Sequence, residues 1–328
     1  MWLSNVGSRR VRLLVHVVAS ASASVHDRRL LGQGIENAKL YQSAHELQRR
    51  DNKMILDFYK NALGRNHGSS GQTQVLDIGC GSGDSTRELL LPLAMERLGA
   101  KRVVATDISP AMVEFARDSF PHRSICYDVF DVSSADATES LLSKYGHYDV
   151  VFSLYALHWV RDLGRALRNI RRLLRPPQVP TGDGTSKLSV GGAVTSPTCN
   201  TSECLLAFLA LNPALLVYRD LCSTSKWAEY FDASDIPFGE LYSQKVLEEL
   251  AVASGLKLRS CEVLGLEFRY ASTENLKESA VAICPFYQLI PASLVDEFER
   301  DLVDAYLRLS KGANVFNYQL AVLHGFPQ

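Results

Sequence analysis

The chain has 328 residues, 46% of them hydrophobic, enough to bury the core of one large α/β unit with additions. A formal net charge of −1 excludes a global field that would steer it to nucleic acid or to an acidic membrane surface. No apolar run approaches the length of a membrane span, and the seven cysteines include no Cys-x-x-Cys pair, which argues for reduced thiols in a cytoplasmic compartment rather than disulfides or zinc.

Residues 1–37 read as a leader. Up to residue 35 they carry Arg9, Arg10, Arg12, Arg28 and Arg29, many Ser and Ala, and a single acid, Asp27. That composition fits mitochondrial targeting, while Leu13–Ala19 with the small residues after it has the form of a short signal peptide interrupted by His16. A disordered or extraneous segment is the third reading. The folded domain is expected to span 38–328.

Glu46–Asp51 (Glu-Leu-Gln-Arg-Arg-Asp) opens a helix ahead of the first strand, a charged cluster of the kind that normally faces solvent. Strand Gln74–Ile78 then runs into Asp77-Ile-Gly79-Cys-Gly81-Ser-Gly83-Asp84, followed by a helix over Ser82–Leu98. Strand, glycine loop and helix form the first unit of a doubly wound nucleotide-binding sheet. A dinucleotide site wants a third glycine three positions after the second, where this chain has Asp84. Acids at Asp77 and Asp84 suit a cationic ligand without phosphate, which points to S-adenosylmethionine. Cys80 has no base near it in sequence and reads as the small residue that such a loop needs.

Further strands are predicted at Arg102–Ile108, Ser124–Phe130 and Tyr148–Leu154, with helices at Pro110–Ser119, Ala135–Tyr145 and Asp162–Leu174. Runs of Val, Ile and Leu without polar alternation predict strands buried on both faces of a parallel sheet. Asp107, with Ile108 beside it, closes the second strand where an acid can accept both ribose hydroxyls, although it could equally cap the helix at Ser109-Pro110. Asp131, with Val132, is placed for the adenine amino group; a simple turn acid is the other reading, and Asp128 competes. Ser153 and Leu154 are expected as the cofactor floor. Tyr155, His158 and Trp159 follow where the acceptor should lie, His158 equally readable as a satisfied polar residue and Trp159 as core.

Pro176–Glu203 is rich in Thr, Ser, Gly and Pro, and is expected to be a disordered insert or a retained intron. Strands at Leu205–Leu211, Lys257–Tyr270 and Tyr318–His324 complete a seven-stranded, mostly parallel, Rossmann-like sheet with helical N- and C-terminal cap elements. Aromatic and aliphatic residues around Trp227–Phe231 and Cys284–Ile290 read either as an apolar pocket wall or as ordinary core of the cap.

Together these pieces resemble the insect juvenile hormone acid methyltransferases and their arthropod farnesoic acid relatives. The resemblance rests on Leu40-Tyr41, Leu47-Gln48-Arg49-Arg50-Asp51, Val75–Asp84, Asp107-Ile108-Ser109 and Ser153–Trp159. It continues through Arg168-Asn169-Ile170, Asn212-Pro213, Val217-Tyr218-Arg219, Lys226-Trp227, Pro285-Phe286 and Phe316-Asn317-Tyr318. It departs at Pro176-Pro177, where the family has Pro-Gly-Gly, and in the extra leader. The resemblance implies S-adenosylmethionine as methyl donor, a sesquiterpenoid carboxylic acid as acceptor and a methyl ester as product. It also implies that Gln48 and Trp159 hold the acceptor carboxylate, with Tyr41, Tyr155, Trp227 and Phe286 along the pocket. A carboxylate is already ionised at neutral pH, so no general base and no metal are expected; an alcohol or amine would need one, with His158 the placed candidate. The alternatives are methylation of another small molecule, RNA or protein on the same core, with Arg161–Arg175 as a basic face, or a non-catalytic S-adenosylmethionine-binding protein. No feature sets an oligomeric state.

Overall fold

Successive apolar residues on the predicted strands separate onto two faces. Val75, Val103, Val150 and Leu205 enter one core, while Leu76, Val104, Val151 and Leu206 enter the other. Both faces are covered, so these strands have no solvent side to carry polar residues. The structure is a computed structural model that describes residues 35–64, 73–177, 202–232, 236 and 242–328.

Its strands are β1 (Thr73–Ile78), β2 (Ala100–Asp107), β3 (Ile125–Val129), β4 (Val150–Leu154), β5 (Glu203–Leu211), β6 (Leu256–Arg269) and β7 (Val315–Pro327). They form one seven-stranded sheet in the order β3-β2-β1-β4-β5-β7-β6. β1 to β5 run parallel, and β7 is antiparallel to both neighbours. The order reverses between β1 and β4. In an open α/β sheet that switch opens a crevice at the carboxyl ends of the strands.

Two helices precede β1: α1 (Ile35–Ala44) and α2 (Glu46–Tyr59). Crossovers are made by α3 (Leu91–Glu96), α4 (Pro110–Ser119), α5 (Ala135–Tyr145) and α6 (Leu163–Leu173). Beyond β5 come α7 (Pro213–Cys222), α8 (Gln244–Ala253), α9 (Thr273–Ala282) and α10 (Val295–Leu309). Ser109, Ser134 and Asp162 cap α4, α5 and α6 through side-chain oxygens.

The helix expected over Ser82–Leu98 is not α-helical throughout. Thr86–Leu90 is a π-helical turn, and the Leu91 N–H donates to the Thr86 carbonyl. Pro92 lies just beyond and has no N–H for the carbonyl four residues earlier, so a wider turn accommodates it. The leader at 1–34 and most of the insert, 178–201, lie outside the described residues. At their edges the helix α1 starts at Ile35, before the expected boundary, and β5 starts at Glu203 rather than Leu205.

Glu203 is the reason β5 reaches further. It is 3% exposed, with Oε2 2.7 Å from His324 Nε2 on β7 and Oε1 accepting from the Gly64 N–H at 2.7 Å. Removing one member of a buried pair strands the other. Glu203→Ala is expected to lower stability by about 3 kcal/mol, read as a shift in the urea midpoint.

Candidate active site

The glycine loop is bound to β2 before any ligand is considered. The Gly79 and Cys80 N–H groups both donate to the Thr106 carbonyl, at 2.7 and 2.8 Å. Gly79 has φ +82°, and a Cβ there would sit 2.1 Å from Ala156 Cβ, so the exit of β4 packs directly on this backbone. Gly83 has φ +85°, and its Cβ would meet Ala116 Cβ at 2.6 Å. Neither position tolerates a side chain. The Gly81 N–H donates to Asp107 Oδ2 at 3.0 Å, and the Ser109 N–H to Oδ1 at 2.9 Å. Asp107 therefore joins the loop and caps the following turn at once; burial raises its pKa. Ile108 beside it is exposed, and burial pushes the Cys80 thiol up, which removes it as a nucleophile.

The charged cluster on α2 is not a solvated face. Asp84, 2% exposed, accepts from Ser82 Oγ at 2.7 Å and Arg49 Nη1 at 2.6 Å, and lies 2.9 Å from His45 Nε2. Burial alone would raise its pKa, but the bonds from His45, Ser82 and Arg49 bring it down to about 2. Arg49 also pairs with Glu88. On the other side of the helix Asp51, fully buried, accepts from the hydroxyls of Tyr155 and Tyr318 and from Arg50 Nε. Arg50 continues to the Tyr318 hydroxyl at 2.7 Å and the Glu267 carbonyl at 3.0 Å. Leu47 enters the core.

That leaves Gln48, with Asn52 and Leu56 below it at four-residue spacing, facing a pocket shared with Tyr41, Asp77, Gly79, Thr86 and Leu154. Gln48 Oε1 and Asn52 Oδ1 are buried in it without a hydrogen-bond partner. Asp77 is 5% exposed and accepts from Thr86 Oγ1 at 2.6 Å. Burial, with the charge of Asp107 adding, pushes its pKa up to about 6. Asp77 and the unpaired Asn52 Oδ1, beside a loop with glycine at every other position, fit S-adenosylmethionine, whose ammonium and sulfonium are cationic.

Tyr41 also lines the pocket, its ring stacked on His45 at 4.8 Å. Ser153 is turned elsewhere: fully buried, it donates to the Ile78 carbonyl at 3.0 Å and ties β4 to β1. Asp131 lies beyond β3 beside Asp107, since the intervening Phe130 N–H donates to the Asp107 carbonyl at 2.9 Å. Its Oδ1 accepts from the Ser133 N–H, and the Val132 carbonyl accepts from Asn169 Nδ2, both at 2.8 Å. Asp128 is held by Lys144 at 2.8 Å and the Tyr145 hydroxyl at 3.1 Å, which removes it as a competitor.

His158 and Trp159 sit on a 3₁₀ turn, Leu157–Trp159, beyond the residue Ala156 that touches Gly79. Neither lines the pocket around Gln48. His158 Nδ1 is buried and unpaired, and burial pushes its pKa down to about 3. Trp159 is half-buried. Three expected wall residues need correction. Tyr155, at φ +62°, gives its hydroxyl to Asp51 and serves to hold α2. Trp227 and Phe286 are 1% and 0% exposed, because α7, α9 and α10 bury their apolar faces together. Trp227 donates to Asp301 Oδ2 at 2.9 Å and Phe286 stacks on Phe231 at 4.3 Å, so both belong to the core of the cap.

Sequence reasoning missed His45, Asn52 and Thr86, and named Asp51 within Leu47–Asp51 without giving it a role. Of the three missed, only Asn52 carried a signal, its four-residue offset from Gln48.

A family profile for the methyltransferase domain matches residues 76–178. The juvenile hormone acid O-methyltransferase of Drosophila melanogaster is 32% identical over 287 residues, covering 85% of this chain and 86% of that protein. The one of Bombyx mori is 30% identical over 274 residues, covering 82% and 86%. A malonyl-[acyl-carrier protein] O-methyltransferase of Acetivibrio thermocellus is 28% identical over 159 residues, 48% of each chain.

An acid whose pKa is raised by folding contributes stability at low pH that is lost as pH rises from the unfolded value, about 4, through the folded one. For Asp77 that window ends at about 6, so its ionised form weakens the ligand-free protein at neutral pH. Asp77→Asn is therefore expected to raise the ligand-free melting temperature by a few degrees at pH 7.5, corresponding to about 2–3 kcal/mol, and to leave it unchanged at pH 4. Thermal melts of both proteins at the two pH values check this.

Proposed function

The chain belongs to the juvenile hormone acid O-methyltransferase family, and from that premise we propose that it methylates the carboxylate of a small apolar acid. The acceptor is of the sesquiterpenoid kind, farnesoic or juvenile hormone acid-like, and the product is its methyl ester. The donor is S-adenosylmethionine, which supplies when bound an electrophilic methyl group on a sulfonium.

One observation carries this reading: Gln48 is the polar residue of Leu47–Asp51 that no structural contact claims, and it faces the pocket of the glycine loop. Turned to present Nε2, its neutral amide donates to a carboxylate and orients it without quenching the charge, as a lysine would. The Trp159 indole N–H is the second donor proposed, reaching the acceptor from the exit of β4. The work left to the protein is to align an oxygen roughly 3 Å behind the methyl and to keep water off it. The donor side is assigned to Asp77, the Gly79–Gly83 loop with Cys80, and Leu154. The ribose goes to Asp107 with Ile108, and the adenine to Asp131 with Val132.

His158 supports the same choice of acceptor. With a pKa near 3 it is neutral at physiological pH and a weak base, suited to a substrate that needs no deprotonation. The cations at the end of α6 and just beyond it favour a small molecule over RNA. Arg171 donates to the Gln328 carbonyl, Arg172 pairs with Glu139, and Arg175 pairs with Asp149. Among the described residues no helix is long and apolar enough to cross a membrane.

Gln48→Ala is expected to lower kcat/KM for farnesoic acid by about 100-fold or more, the scale of losing a positioning contact, while His158→Gln keeps most of it. The reverse ranking in a radiolabelled S-adenosylmethionine assay would refute a carboxylate acceptor. Each buried CH₂ of the acceptor adds about 0.8 kcal/mol, so farnesoic acid should outrank short acids such as aconitate. A preference for the short acids would remove the apolar-acceptor reading.

A further inference from the structure

Asn52 lies one turn beyond Gln48 on α2 and is 5% exposed. Its Oδ1 is buried and accepts no hydrogen bond, although the residue lines the same pocket as Asp77 and Gly79. An unpaired buried acceptor costs free energy, and one that lines a pocket is placed for a ligand to supply the donor. Three donors of the wall are committed elsewhere, Ser82 Oγ among them, which donates to Asp84. His45 faces Asp84 and the Tyr41 carbonyl, and the Thr86 hydroxyl is given to Asp77 Oδ2. Asp77 itself has no ion-pair partner among the described residues, so the missing donor should be positively charged. Leu56, Leu89 and Leu90 line the pocket around these groups, the latter two carried there by the π-helical turn. An apolar lining lowers the local dielectric and strengthens a hydrogen bond from a cation.

We infer that Asn52 Oδ1 accepts a hydrogen bond from the α-ammonium group of the bound methyl donor, so that Asn52 and Asp77 together hold its amino-acid end. This rests on the donor reading above and leaves Gln48 to the acceptor. An ammonium has three N–H groups and can satisfy both residues at once.

Calorimetric titration of the full chain tests it with two probes. S-adenosylhomocysteine retains the amino-acid end, and 5′-methylthioadenosine lacks it. Asn52→Leu, close in shape but without the oxygen, should weaken S-adenosylhomocysteine about 10-fold, the scale of one charge-assisted hydrogen bond, and leave methylthioadenosine within about twofold. Asn52→Asp keeps an acceptor and should retain S-adenosylhomocysteine affinity. Unchanged S-adenosylhomocysteine binding in Asn52→Leu would overturn the inference, as would equal losses for both probes, which mark a structural role. Methylthioadenosine binding shows that the variant is folded. If the unaltered protein binds neither probe, the donor reading falls and this inference with it. A failed acid-acceptor assay alongside intact probe binding would leave the inference standing.

Discussion

The placement of α2 is the constraint on which the site depends. Two buried carboxylates hold it from opposite sides: Asp84, on the glycine loop, takes Arg49 and His45 from the helical region, and Asp51, on the helix, takes Tyr155 and Tyr318 from the sheet. A charge removed from water is tolerated only when hydrogen bonds replace its hydration, and each of these carboxylates has at least three donors or ion-pair partners. The same partners connect α2 to the loop that follows β1, the exit of β4 and the antiparallel strand β7. A helix held at those points has one orientation. It presents Gln48 and Asn52 to the crevice at the switch between β1 and β4.

Against that background Asp77 stands out. It is as buried as the other two, yet its donor is a single threonine hydroxyl, and its pKa is raised where that of Asp84 is lowered. The difference lies in what surrounds each group rather than in the residue type. Asp84 is neutralised by the protein and is structural. Asp77 has no cationic partner among the described residues, and the unpaired amide oxygens of Gln48 and Asn52 share its wall, the arrangement on which the proposed donor site rests. Binding energy and the instability of the ligand-free site are thus two sides of one arrangement.

The five parallel strands were legible because their apolar runs are long and glycine, proline and serine mark their ends. The glycine loop and the capping alternative for Asp107 were legible for a similar reason: both are set by local backbone geometry that few residues allow. Elsewhere local pattern misled. The run Glu46–Asp51 has the composition of a solvated face, and only contacts with residues far along the chain bury Asp51. Trp227 and Phe286 look alike as pocket wall and as core, since both uses want large apolar side chains; the packing of α7, α9 and α10 decides for core. Tyr155 follows the same logic, its hydroxyl drawn away by a carboxylate on another element.

The sequence by itself determined the doubly wound sheet, the glycine loop and the family resemblance, because these depend on short-range patterns: alternation, glycine spacing and an acid at a strand end. Only the tertiary structure decided which polar residues are satisfied within the fold and which are not. That distinction is a matter of hydrogen-bond satisfaction across the fold. Arg49, Arg50 and Asp51 find partners on the loop and strands, while the amide oxygens of Gln48 and Asn52, which flank them on the same helix, find none.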